Sequence, residues 1–114
     1  MLSQPFNAPG FYVPSKFIDM SAVSITSIAT IWTPATGKKI RLLGGTFSVS
    51  AAGSVLFEDN AGGTTVFRTA KLAADTPYFF DFGNGIPLAA INNVLKATLS
   101  VAGTITGTLY GVEE

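Results

Sequence analysis

Val23-Ser24-Ile25-Thr26-Ser27-Ile28-Ala29-Thr30-Ile31-Trp32 is the stretch that decides how this chain folds. Alternation puts Val23 and Ile25 on one face of an extended segment and Ile28, Thr30 and Trp32 on the other. A strand cannot change the face it buries without an extra residue or a change of sheet. The slip near Ser27 therefore predicts a bulge or a crossing between two sheets. Residues 38–50 carry a similar slip, where Ile40 and Leu42 give way to Leu43, Phe47 and Val49 around Gly44-Gly45. Two long strands bent in this way suit a sandwich whose strands turn corners.

Outward from these segments the chain reads as short β-prone runs separated by Gly, Asn, Asp and Pro. They cover residues 17–20, 54–58, 64–70, 78–82, 86–89, 94–100 and 104–112. No segment has helical periodicity. The expectation is an all-β chain, an antiparallel β-sandwich over residues 16–114. Thr33-Pro34-Ala35-Thr36-Gly37 and Asp59-Asn60-Ala61-Gly62-Gly63 have turn chemistry and are expected to be hairpin loops. Phe82-Gly83-Asn84-Gly85-Ile86-Pro87 reads as a tight turn entering an edge strand, because Pro87 cannot donate to a central ladder. Ser50-Ala51-Ala52-Gly53-Ser54-Val55 and Ser100-Val101-Ala102-Gly103-Thr104-Ile105 align without a gap at a spacing of 50, as if one hairpin type were used twice.

Residues 1–15 differ in character. Pro5, Pro9 and Pro14 stand among Phe6, Phe11, Tyr12 and Val13, which predicts an extended N-terminal arm, since proline fixes its own φ and biases its predecessor to extended conformations. Three aromatics are more than a disordered linker usually carries. The arm is expected to lie in a groove, either of its own sandwich or of a neighbouring subunit.

Length allows one domain and one core. Of the 114 residues 47% are apolar but only 12% are charged, with a formal net charge of zero, against the roughly 25% charged residues of ordinary soluble domains. A surface so thinly supplied with charge favours association. Part of the exterior is therefore expected to be buried against copies of the chain or another protein. There is no cysteine and no histidine, which excludes disulfides, thiolate chemistry, Ser-His-Asp and Cys-His arrangements and His-containing zinc sites. No enzymatic activity and no cofactor are expected. Met1-Leu2-Ser3-Gln4-Pro5 lacks the pattern of a secretory signal, and no apolar run approaches the ~18 residues of a membrane span. A chain made in the cytoplasm, with no membrane partner, is the expectation.

The polar clusters have plain readings. Glu58-Asp59-Asn60 could begin a calcium site but is expected to be a solvated turn. Asp19, Asp75 and Asp81 could supply paired carboxylates, yet Asp75 reads as a turn residue before Pro77 and Asp81 as solvent-facing. Lys38, Lys39 and Arg41 could meet nucleic acid. With zero net charge, an exposed strand face or an inter-subunit partner for Glu113 and Glu114 is expected instead, and no nucleic-acid partner. Tyr78-Phe79-Phe80-Asp81-Phe82 is aromatic on both faces, which requires burial on both, in the sandwich or at an interface, with an aromatic platform for sugars as the alternative.

Ile31-Trp32-Thr33-Pro34-Ala35-Thr36-Gly37-Lys38-Lys39-Ile40-Arg41-Leu42 and the close Ala102-Gly103-Thr104-Ile105-Thr106-Gly107-Thr108-Leu109-Tyr110-Gly111 resemble small β-rich virion proteins of tailed bacteriophages, as do 82–88 and 92–95 between them. The resemblance implies a jelly-roll-like sandwich on the capsid surface, a homotrimeric decoration (cement) protein whose partners are itself and the major capsid protein. The arm aromatics Phe6, Phe11 and Tyr12, with Trp32, Lys39 and Arg41, are then the expected interface residues, with the core as the equal alternative for Trp32. The competing expectation is a receptor- or carbohydrate-binding module of a tail or fibre.

Overall fold

The computed structural model describes residues 12–60 and 63–114. Eight strands build it: β1 Lys16–Ser24, β2 Ala29–Trp32, β3 Ile40–Val49, β4 Val55–Asp59, β5 Thr64–Arg68, β6 Tyr78–Pro87, β7 Leu95–Leu99 and β8 Thr104–Glu113. They form two four-stranded antiparallel sheets in the orders β1-β8-β3-β6 and β2-β7-β4-β5. The first strand pairs with the last, the second with the seventh, the third with the sixth and the fourth with the fifth. An antiparallel ribbon rolled around a core gives this order, which is that of a jelly roll.

The parity slip in residues 23–32 is a crossing. β1 ends at Ser24 in the first sheet and β2 begins at Ala29 in the second. Ile25 is buried at the corner between them, its N–H donating to the Gly103 carbonyl (3.0 Å) and its carbonyl accepting from Leu99 (2.8 Å). The slip at Gly44-Gly45 is a bulge. Leu42 pairs with Gly111 and Gly44 with Tyr110, which leaves Leu43 as the extra residue. On the other side Leu42 pairs with Ile86 and Gly44 with Asp81, so residues 82–85 bulge out opposite Leu43. The expected turn at 82–87 is therefore a wide bulge inside one continuous β6, and residues 86–89 are not a separate strand. Pro87 does lie on an edge strand.

Three expected hairpins are corrected. Residues 33–39 join β2 of one sheet to β3 of the other, so Thr33–Gly37 spans the end of the sandwich with Pro34 buried. The look-alike turns at 50–55 and 100–105 also cross between sheets, because β3 and β4, and β7 and β8, lie in different sheets. They sit side by side and clasp each other. Ser50 donates its N–H to the Thr104 carbonyl (3.0 Å) and accepts the Thr104 N–H on Oγ (2.8 Å). Ser100 does the same with Ser54, at 2.9 and 3.0 Å. The pairs Val49–Ile105 and Val55–Leu99, Phe47–Gly107 and Phe57–Ala97, Gly45–Leu109 and Asp59–Leu95 interchange under a shift of 50. The sequence echo is thus a local twofold at the heart of the sandwich. The consecutive strands β4 and β5 pair antiparallel, in keeping with the hairpin expected between them.

Between the sheets lie Met20, Ile25, Trp32, Ile40, Leu42, Phe47, Val49, Val55, Phe57, Leu95, Leu99, Ile105 and Leu109, all buried. Where β5 and β6 flank the open side, Phe47, Phe57, Phe67, Tyr78, Phe80 and Phe82 form a connected ring cluster with neighbouring centroids 5.0–6.3 Å apart. Edge-to-face and offset contacts of this kind add about 0.5–1.5 kcal/mol each to their area burial.

Candidate functional site

The outer faces of the two sheets are made differently. On β2-β7-β4-β5 the outward residues include Thr30, Lys96, Thr98, Leu56, Glu58, Thr65 and Arg68, with Glu58 and Lys96 directly paired across strands. Such a face solvates well. On β1-β8-β3-β6 the registers place Phe17, Tyr110, Gly44 and Asp81 in one row and Asp19, Thr108, Thr46 and Phe79 in the next. These side chains point away from the core because Ile18, Met20, Leu109, Phe47 and Phe80 point into it. Phe17 is 65% exposed and Phe79 68%, and lone phenylalanines this open on a sheet face are surfaces without a cover.

Tyr110 lies between them. A Cβ on Gly44 would stand 2.6 Å from Tyr110 Oη and 2.5 Å from the Phe80 carbonyl oxygen, so glycine alone lets the phenol cross β3. Its hydroxyl donates to Asp81 (3.4 Å), and burial, then the charge and the bond of Asp81, raise its pKa above the ordinary value. Asp81 also accepts from the Gly83 N–H at 2.7 Å. The expectation of a solvent-facing Asp81 holds, with the addition that it braces the β6 bulge.

The edges of both sheets are blunted. β1 carries extra residues between Met20 and Val23, β2 at Ile31, β5 at Val66 and β6 at 82–85. Bulges twist an edge away from further pairing, so strand addition is disfavoured on all four edge strands and the faces are left for contact.

At the end of the sandwich where β1 begins, Arg41 is the centre of a knot. Its Nε meets Glu114 Oε2 at 3.1 Å, its Nη1 donates to the Asn84 carbonyl at 3.0 Å, and its guanidinium lies 4.3 Å from the Tyr12 ring centroid. The cation–π contact is worth about 0.5–1 kcal/mol at such a site. Ser15 donates to the Gly111 carbonyl (2.9 Å). Lys39 extends the β3–β8 ladder through its backbone, exchanging bonds of 2.9 and 2.8 Å with Glu114. Of the basic cluster, expected on an exposed strand face or opposite Glu113 and Glu114 of another subunit, Arg41 has its carboxylate partner Glu114 within its own chain. Trp32, offered as an interface anchor, is 2% exposed and belongs to the core; its Nε1 donates to Glu113 Oε2 at 2.9 Å. Partial burial pushes the Glu113 carboxyl up. The bonds from Trp32 and from the Ala35 N–H (3.1 Å), with Lys16 and Lys38 nearby, outweigh it and hold the group below its ordinary value. Phe6 and Phe11 lie outside the described residues.

Asp59 corrects the expectation of a solvated turn. It is 7% exposed, and accepts from the Ala89 N–H (2.7 Å) and Asn93 Nδ2 (2.8 Å), while Asn60 Oδ1 accepts from the Val94 N–H (2.8 Å). The pair ties down residues 88–94, a loop whose backbone polar groups need partners. That loop borders an open hollow of about 550 Å³ lined by Lys39, Ala89, Ala90, Ile91 and Glu114. Among the described residues no three acidic side chains converge to hold a metal, and no helix is long and apolar enough to cross a membrane.

Sequence reasoning had set Phe79 on the face opposite Phe80 but left open what covers it, and had not singled out Phe17. The signal for Phe17 was its parity against Ile18 and Met20. No protein-family model, curated protein or solved structure matches this chain.

Proposed function

We propose that this chain is a structural subunit of a larger particle, a capsid decoration protein of a tailed bacteriophage that self-associates, as a trimer, and bridges coat subunits on the shell. The outer face of the first sheet carries this reading: Phe17, Tyr110 and Phe79 stand on a threonine-lined surface of a chain with few charges. Covering the exposed two thirds of each phenylalanine contributes roughly 1–2 kcal/mol apiece, from ~1.5–3 kcal/mol for a fully buried side chain. One such contact is weak, and several made together by an oligomer on a lattice are strong. Jelly rolls serve as viral capsid domains, and also as lectins. The exposed Phe79 ring close to Asp81 is the feature a sugar-binding module would use; glycan-array binding lost in Phe79→Ser would favour that second reading. No catalytic role belongs to the proposal.

The test is to mix the purified protein with phage shells that lack it and image them by cryo-electron microscopy. Density at symmetric sites is expected, and bare shells would refute the decoration role.

A further inference from the structure

We infer that the outer face of β1-β8-β3-β6 is the seat for residues 1–11 of a neighbouring copy, each chain giving its N-terminal segment to one neighbour and receiving one from another. The inference rests on the assembly reading above and names what covers the open face. Three observations select this occupant.

The first is charge. Stacking the face on the same face of a second copy would bring Asp19 and Asp81 of both into one interface, while Arg41 is already engaged by Glu114. Like charges without a free cation oppose such a contact. Residues 1–12, MLSQPFNAPGFY, contain no Asp, Glu, Lys or Arg and offer Leu2, Phe6 and Phe11. They can cover Phe17, Tyr110 and Phe79 and leave both aspartates at the rim.

The second is the edges. All four edge strands are bulged, so the segment has no ladder to join and must bind through side chains on a face.

The third is the exit. Read backwards from β1, the chain bonds to Gly111 of β8 at Ser15 and lies on Arg41 of β3 at Tyr12, heading towards β6. Only one strand spacing, about 4.8 Å, separates β3 from that edge. Eleven residues can reach about 36 Å, so a segment of this length suffices to pass that edge and meet a neighbouring copy. A donor segment and an acceptor face on different parts of the surface make a head-to-tail contact, which closes into a ring where the rotation between copies allows it and otherwise runs on as a filament.

Two full-length variants test this: Phe6→Ser/Phe11→Ser, which cannot donate, and Phe17→Ser/Phe79→Ser, which cannot receive. Sedimentation velocity, with one variant fluorescently labelled, follows each alone and in an equimolar mixture. Wild type is expected to associate, and each variant alone to bind itself at least about 30-fold more weakly, equivalent to roughly 2 kcal/mol at 1.4 kcal/mol per decade. The mixture holds one working segment and one working face, and is expected to form a one-to-one pair and stop there. Variants that associate like wild type would overturn the inference and leave the assembly reading standing. So would a mixture that stays monomeric although both variants have lost self-association. A monomeric wild type would overturn both.

Discussion

Asp59→Ala is the sharpest test of how the loop end of the sandwich is held. The carboxylate, 7% exposed, accepts from the Ala89 N–H at 2.7 Å and from Asn93 Nδ2 at 2.8 Å. Hydrogen bonds to a charged group contribute about 1.5–3 kcal/mol each. Water reaching the opened loop, and relief of a buried charge, offset part of the loss. The expected destabilisation is about 3 kcal/mol, a fall in Tm of roughly 12 °C at ~4 °C per kcal/mol for a domain of this size. Asp59→Asn keeps the shape and one acceptor but turns an amide nitrogen on one of the two donors, so about half of that loss is expected. Urea and thermal unfolding followed by circular dichroism give both values. An Asp59→Ala protein within ~0.5 kcal/mol of wild type, inside the range of a neutral surface change, would refute the reasoning. So would a rise of several degrees in wild-type Tm on adding calcium, which needs those oxygens free.

Ser50→Ala and Ser100→Ala each remove one bond of the reciprocal clasp, and are expected to cost about 1 kcal/mol apiece. Because the turns brace each other, the double variant should depart from additivity by at least ~0.5 kcal/mol in a double-mutant cycle. Glu113 has a depressed carboxyl pKa in the folded chain, so its contribution is present above the unfolded pKa and is lost as pH falls through the folded value. Glu113→Gln should therefore flatten part of the acid limb of a stability–pH curve, measured by urea unfolding across that range. Phe79→Ser should leave unfolding within ~0.5 kcal/mol of wild type, since the ring is mostly in solvent, while weakening self-association about tenfold or more in sedimentation.

The sandwich was legible because its corners announce themselves. A strand that must pass from one sheet to the other reverses its buried parity, and residues 23–32 did so in plain sight. The bulge at Leu43 left the same mark. What alternation could not supply was partnership: β3 pairs with β8 and β4 with β7 by tertiary register, so turns that look like hairpins proved to be crossings, and the echo of Ser50 in Ser100 marks two turns that bond to each other through Thr104 and Ser54. Asp59 was misplaced, and Trp32 left between core and interface, for a related reason. Their burial depends on Glu113 and on residues 89–93, far along the chain, and local sequence carries no trace of either. The open face was half legible. Aromatics on both sides of 78–82 required a second burial site, and only the register with β3, β8 and β1 shows Phe79 and Phe17 sharing one face.

Sedimentation equilibrium of the intact chain, over a wide concentration range, reaches the central claim most directly. If the face bearing Phe17 and Phe79 is made to be covered, the mass rises to a small multiple of 11.9 kDa. A species that stays at 11.9 kDa at the highest concentration would contradict the account.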